Sequence, residues 1–154
     1  MIDQAAATII FIWTVGVLVL KMQFVAFCTS LNRKRTGSPV VPEDEALLGR
    51  KEHSTPSGQS IEVERYLNLH RNDMENIYVF FFVSFFFIFS SNSADYAYDA
   101  WTAYNLTFLI SRLAFTLCYI FSLQPWRTVA FLLGQLSTTV FTMWMMVSVI
   151  IAYT

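Results

Sequence analysis

Residues 128–154 read TVAFLLGQLSTTVFTMWMMVSVIIAYT, twenty-seven consecutive positions without a charged side chain. A membrane-spanning helix needs about 20 such residues. A second uncharged stretch, NIYVFFFVSFFFIFSSNSA at residues 76–94, runs to nineteen. Phe80, Phe81, Phe82, Phe85, Phe86, Phe87 and Phe89 go all the way round a helix there, so its surface meets lipid or neighbouring helices on every side. Over the whole chain 55% of residues are hydrophobic and 14% charged, against roughly 25% charged in an ordinary soluble domain. That surface belongs in a bilayer.

Outward from these stretches the chain resolves into four expected spans, at about residues 5–31, 61–90, 100–123 and 126–152. The fold class is therefore all-α and integral to the membrane, a four-transmembrane-helix bundle in a single domain over residues 1–154. The first span holds Lys21 as its only charge and lacks the basic start and small-residue cleavage site of a signal peptide, so it reads as a retained helix. Residues 33–60 carry three of the four prolines and three of the five glycines, which marks a solvated loop. A short acidic turn is expected around Asn92 to Asp99. A tight turn is expected at Leu123-Gln124-Pro125-Trp126, because proline resists continuing one helix and suits the first turn of the next. Gln135, Thr138 or Thr139, and Thr142 form a mild polar stripe fit for helix contact. Arg33, Lys34, Arg35, Arg50 and Lys51 lie in the first loop and Arg127 borders the third. The positive-inside rule puts both loops in the cytosol.

Some functions are excluded at once. Ten Lys and Arg against eleven Asp and Glu leave no cationic excess for nucleic acid. Cys28 and Cys118 have no His or Cys at ligand spacing and read as buried, inert thiols, and no metal site is expected. The Asn105-Leu106-Thr107 sequon falls inside a span, where glycosylation is not expected. No P-loop, nucleotide-binding glycine motif, nucleophile elbow or zinc-protease motif occurs.

What remains is charge where a bilayer penalises it, and each such residue is a functional-site hypothesis. Arg71, Glu75 and Tyr78 are spaced i, i+4, i+7 on one helical face. Arg112, Thr116 and Tyr119 repeat the device. Two readings of this cluster stand side by side. Arg71 with Glu75, and Arg65 with His70 and Asp73, could form internal ion pairs that fasten the helices. Alternatively Lys21, Arg33, Arg71, Arg112 and Arg127 are an excess of cations that invites an anionic ligand, a guanidinium being suited to a carboxylate.

The run Val63-Glu64-Arg65-Tyr66-Leu67-Asn68-Leu69-His70-Arg71-Asn72-Asp73-Met74-Glu75-Asn76-Ile77-Tyr78 resembles the signature of the membrane-associated proteins in eicosanoid and glutathione metabolism (MAPEG), in the branch of microsomal glutathione transferase and prostaglandin E synthase. Lys21-Met22, Pro42-Glu43-Asp44, Arg112 through Tyr119, and Pro125-Trp126-Arg127-Thr128 extend the resemblance along most of the chain. It implies a homotrimer of four-helix subunits in the endoplasmic reticulum, with a mitochondrial membrane as the alternative. Glutathione would bind between subunits near the cytosolic face and a lipophilic substrate would enter from the membrane lipid. By position, Arg33, Arg71, Asn72, Glu75, Tyr119, Arg127 and Thr128 would contact glutathione, Arg112 would support the site, and Asp44 would assist the chemistry. Arg127 would stand beside the sulfur and Thr128 would replace a thiolate-binding serine. The implied function is a glutathione-dependent transferase or peroxidase, or an isomerase. Asn68, Phe115 and Phe131 depart from the pattern, standing where the branch has arginine, histidine and, in the prostaglandin synthase, tyrosine. They favour a general transferase or peroxidase, and they keep open a non-catalytic accessory subunit of a larger membrane complex.

Overall fold

A computed structural model describes residues 3–37, 60–90 and 95–153. They form four helices, α1 (Gln4–Thr36), α2 (Ile61–Ser90), α3 (Asp95–Ile120) and α4 (Trp126–Tyr153), and no strand occurs among them. Three segments, Gln4–Thr36, Ala97–Ile120 and Trp126–Ser148, are long and apolar enough to cross a membrane. α2 divides into a charged first half and the phenylalanine-rich second half.

Three boundaries differ from the sequence expectation, one of them the end of α3, which falls at Ile120 and not near Leu123. α1 runs on through Arg33, Lys34 and Arg35, because cations in a last turn face the negative end of the helix dipole. It stops at Gly37, whose φ of 60° is the left-handed geometry glycine adopts after a helix. α3 begins at Asp95, inside the expected acidic turn. Ala97, Tyr98 and Trp101 are all buried, and their one-turn spacing draws the helix start toward the N-terminus.

The chain divides into two compact units, residues Leu20–Met74, and residues Met1–Val19 together with Glu75–Thr154. In the smaller unit Ser60 caps α2, its hydroxyl accepting from the Val63 N–H at 3.3 Å and donating to the Thr36 hydroxyl at 3.2 Å. Both residues sit at helix ends, where unsatisfied backbone groups collect. Deeper in this unit the Lys21 ammonium donates to the Asp73 carboxylate. Both side chains are buried.

The larger unit is aromatic at its centre. Phe80 stacks on Phe108 with centroids 4.2 Å apart, Tyr104 on Phe141 at 4.4 Å, and Trp101 is wholly buried beside Phe87. Phe82 and Phe86 lie on the outward face of the same α2 run, each more than half exposed, as a helix in lipid requires. α3 and α4 approach closely at Gly134, where an added Cβ would stand 2.7 Å from the Ser111 hydroxyl oxygen. Small residues permit that approach in membrane helices. Ser84 donates to Asn105 at 3.4 Å and Asn105 donates to the Trp101 carbonyl at 2.8 Å. The fully buried sequon asparagine is therefore already engaged. Of the polar stripe on α4 only Thr138 is buried, and Thr138, Thr139 and Thr142 each donate to a carbonyl one turn back. Cys28 and Cys118 are half-buried rather than enclosed, and both are free thiols.

Candidate functional site

The junction of α3 and α4 is made by a helix stop and a helix start in quick succession. The Leu123 N–H reaches the Cys118 carbonyl at 2.8 Å and the Ser122 N–H the Tyr119 carbonyl at 3.3 Å, the paired bonds of a Schellman ending. Ser122 takes the left-handed position that glycine usually fills, with φ 57°. α4 then opens with the Thr128 N–H donating to the Pro125 carbonyl at 2.9 Å. The expected turn at residues 123–126 forms, and it sets Arg127 and Thr128 in the first turn of α4. Backbone N–H groups and the dipole make that end positive.

Five side chains connect across this junction. Arg112 is wholly buried on α3, its guanidinium 4.6 Å from the Phe115 ring centre. Phe115 meets Tyr119 at 5.6 Å and Phe131 at 6.1 Å. The Tyr119 ring in turn faces the Arg127 guanidinium at 5.1 Å. A guanidinium stands at each end of the series with two aromatic rings in contact between them, and each cation–π contact is strongest where water is excluded. Thus Arg112 and Tyr119, picked out in the sequence on one stripe, and Arg127, picked out apart from them, belong to one array. Phe115 is the residue that joins them.

Gln124 was visible in the sequence only as part of the turn. A guanidinium can only donate, so the Gln124 amide is assigned with its oxygen toward Arg127, accepting from Nε at 3.0 Å and from Nη2 at 2.5 Å, and its nitrogen then donates to the Thr128 hydroxyl oxygen at 3.2 Å. Arg127 is half-buried and Thr128 exposed. A glutamine three residues before an arginine and four before a threonine, across a proline, is the only signal that could have drawn attention to it.

The remaining expected residues fall elsewhere. Arg33 is half-buried in the last turn of α1, and Arg71 and Asn72 are exposed and half-buried on α2, all three within the smaller unit. Glu75 and Tyr78 are exposed on α2 in the larger unit. Asp44 lies outside the described residues. Asp73, grouped in the sequence with Arg65 and His70, pairs with Lys21. The two partners are 52 positions apart, so no local spacing could reveal them. Lys21 consequently leaves the set of cations counted toward an anionic ligand.

A family profile described as MAPEG family matches residues 11–147. The chain belongs to the MAPEG family. It is 38% identical over 120 residues to prostaglandin E synthase of Homo sapiens, covering 77% of this chain and 74% of that protein. It is 37% identical over 123 residues to prostaglandin E synthase of Mus musculus, covering 78% and 74%. To that of Bos taurus it is 34% identical over 122 residues, covering 79% and 75%. As a MAPEG protein with three helices apolar enough to cross a bilayer, it is an integral membrane protein of a glutathione-metabolising enzyme family.

Proposed function

We propose that this MAPEG protein is a membrane-bound, glutathione-dependent transferase or peroxidase acting on lipophilic electrophiles or lipid hydroperoxides. The observation that carries the reading is the donor set at the start of α4. Arg127 and Thr128 stand together at the positive end of a helix, with the Arg127 guanidinium backed by Tyr119 and Gln124. Such a set fits an anionic sulfur. Free thiols have a pKa of about 8.5, and each unit by which a site lowers it corresponds to about 1.4 kcal/mol of preference for the thiolate. A guanidinium, a hydroxyl and a helix N-terminus are the groups that lower thiol pKa values in proteins.

Glutathione, when bound, supplies a nucleophilic thiolate. Arg127 and Thr128 would hold its sulfur, and Arg33, Arg71, Asn72 and Glu75 its peptide and charged termini, with Tyr119 against it and Arg112 fixed behind Phe115. Asp44 would assist the chemistry on the second substrate. The exposed apolar faces of α2 and α4 suit a lipophilic partner that arrives through the membrane. The resemblance further supports a homotrimer in the endoplasmic reticulum.

A second reading, a glutathione-dependent isomerase, is favoured by the relatives' name, prostaglandin E synthase. The contact of Phe115 with Phe131 favours the first, because an all-hydrocarbon pair offers no hydrogen bond to an oxygen-rich substrate. The deciding experiment uses the full-length protein in nanodiscs. Glutathione binding is measured by calorimetry, and turnover with an aryl halide, a lipid hydroperoxide and a prostaglandin endoperoxide. Binding with turnover of the first two, abolished in Arg127→Ala, is the expected result. Endoperoxide turnover alone selects the isomerase. No binding and no turnover leaves the accessory-subunit role.

A further inference from the structure

Gln124 is exposed in the turn and reaches both donors at the start of α4. We propose that Gln124 is a positioning residue that sets the donor geometry of Arg127 and Thr128 toward an anion bound at the start of α4. The inference rests on the glutathione reading above and names what orients its thiolate-binding pair.

A guanidinium carries five N–H donors in one plane. The Gln124 carbonyl takes two adjacent ones, Nε at 3.0 Å and Nη2 at 2.5 Å, while the Tyr119 ring covers one face at 5.1 Å. One edge and the plane are thereby fixed, and the remaining donors project from the opposite edge. The other end of the same amide acts on Thr128. Its N–H donates to the hydroxyl oxygen at 3.2 Å, so the hydroxyl accepts there and keeps its own proton for a different acceptor. A reversed amide would set NH2 against guanidinium N–H, donor against donor, and would consume the Thr128 proton on the amide oxygen. The charge of Arg127 thus dictates the direction of the amide, and the amide dictates that Thr128 points a proton outward. Neutrality matters as much as length. A carboxylate at position 124 would hold the guanidinium equally well but offset the charge an anion needs.

The test uses full-length protein in nanodiscs, with helicity by circular dichroism confirming that each variant is folded. Without ligand, heteronuclear NMR follows solvent exchange of the Arg127 Nε–H. It is slow in the native protein and accelerates about tenfold in Gln124→Met, which keeps the length and removes the acceptor. With glutathione, ultraviolet absorbance of the thiolate is followed against pH. The midpoint rises by about one unit in Gln124→Met, the scale of part of one charge-assisted hydrogen bond. In Gln124→Glu slow Nε–H exchange is retained while the midpoint rises as well, separating orientation from charge. Native-like exchange in Gln124→Met overturns the geometry. An unchanged midpoint in a Gln124→Met protein that still forms thiolate overturns the positioning role and leaves the proposed function standing. Native protein that leaves the midpoint where free glutathione has it overturns the proposed function and this inference together.

Discussion

The Arg127 guanidinium carbon lies 5.1 Å from the centre of the Tyr119 ring, so the last full turn of α3 and the first turn of α4 share one cation–π contact. The ring and its hydroxyl can be separated experimentally. Tyr119→Phe keeps the π-face and holds glutathione within about threefold of the native affinity. Tyr119→Leu removes it and weakens binding by about tenfold, on the scale of ~1–2 kcal/mol for a partly desolvated contact. Calorimetric titration of the two variants side by side checks this, and equal losses would assign the effect to the hydroxyl instead.

The Lys21–Asp73 pair predicts a strong asymmetry between single and double substitution. Lys21→Met takes the ammonium from a carboxylate that is fully buried, and breaking such a pair costs about 3–5 kcal/mol. Lys21→Met combined with Asp73→Leu removes both charges and recovers most of that loss. Thermal unfolding in a mild detergent measures it. A double variant no more stable than the single one would show that the pair's other surroundings, not its charge balance, dominate.

Gly134 and Ser111 give a steric counterpart. Gly134→Ala sets a methyl 2.7 Å from the Ser111 oxygen, and the overpacking costs about 1–3 kcal/mol. Ser111→Ala alone removes the clashing atom and one hydrogen bond to the Phe108 carbonyl. The double substitution is expected to be more stable than Gly134→Ala by at least about 1 kcal/mol, read from the same unfolding curves.

Asn105 offers a cellular test. Its side chain is wholly buried and bonded to Trp101 and Ser84, so protein made in a glycosylating host migrates identically before and after peptide N-glycosidase. Asn105→Leu leaves Ser84 without this acceptor and lowers stability by about 1–3 kcal/mol.

Much of this architecture was legible beforehand because bilayer-spanning helices announce themselves by length and by the absence of charge. Arg112 and Tyr119 were legible for the same reason, being polar where hydrocarbon is expected. The ends of helices were harder. Arg33 to Arg35 look like loop by composition, yet the end of α1 attracts them, and the start of α3 is set by the burial of Tyr98 and Trp101 rather than by the acidic residues nearby. Lys21 and Asp73 are joined only by the fold. Gln124 was hidden because a single neutral amide in a turn has no periodicity to betray it.

The connection from Ile120 to Trp126 is too short to let the two helices it joins slide past one another. A thicker or thinner bilayer can tilt them, but only as a pair, so lateral pressure reaches the aromatic and guanidinium contacts as rigid rotation and not as stretch. The spacing at that junction should therefore survive transfer between membranes of different composition.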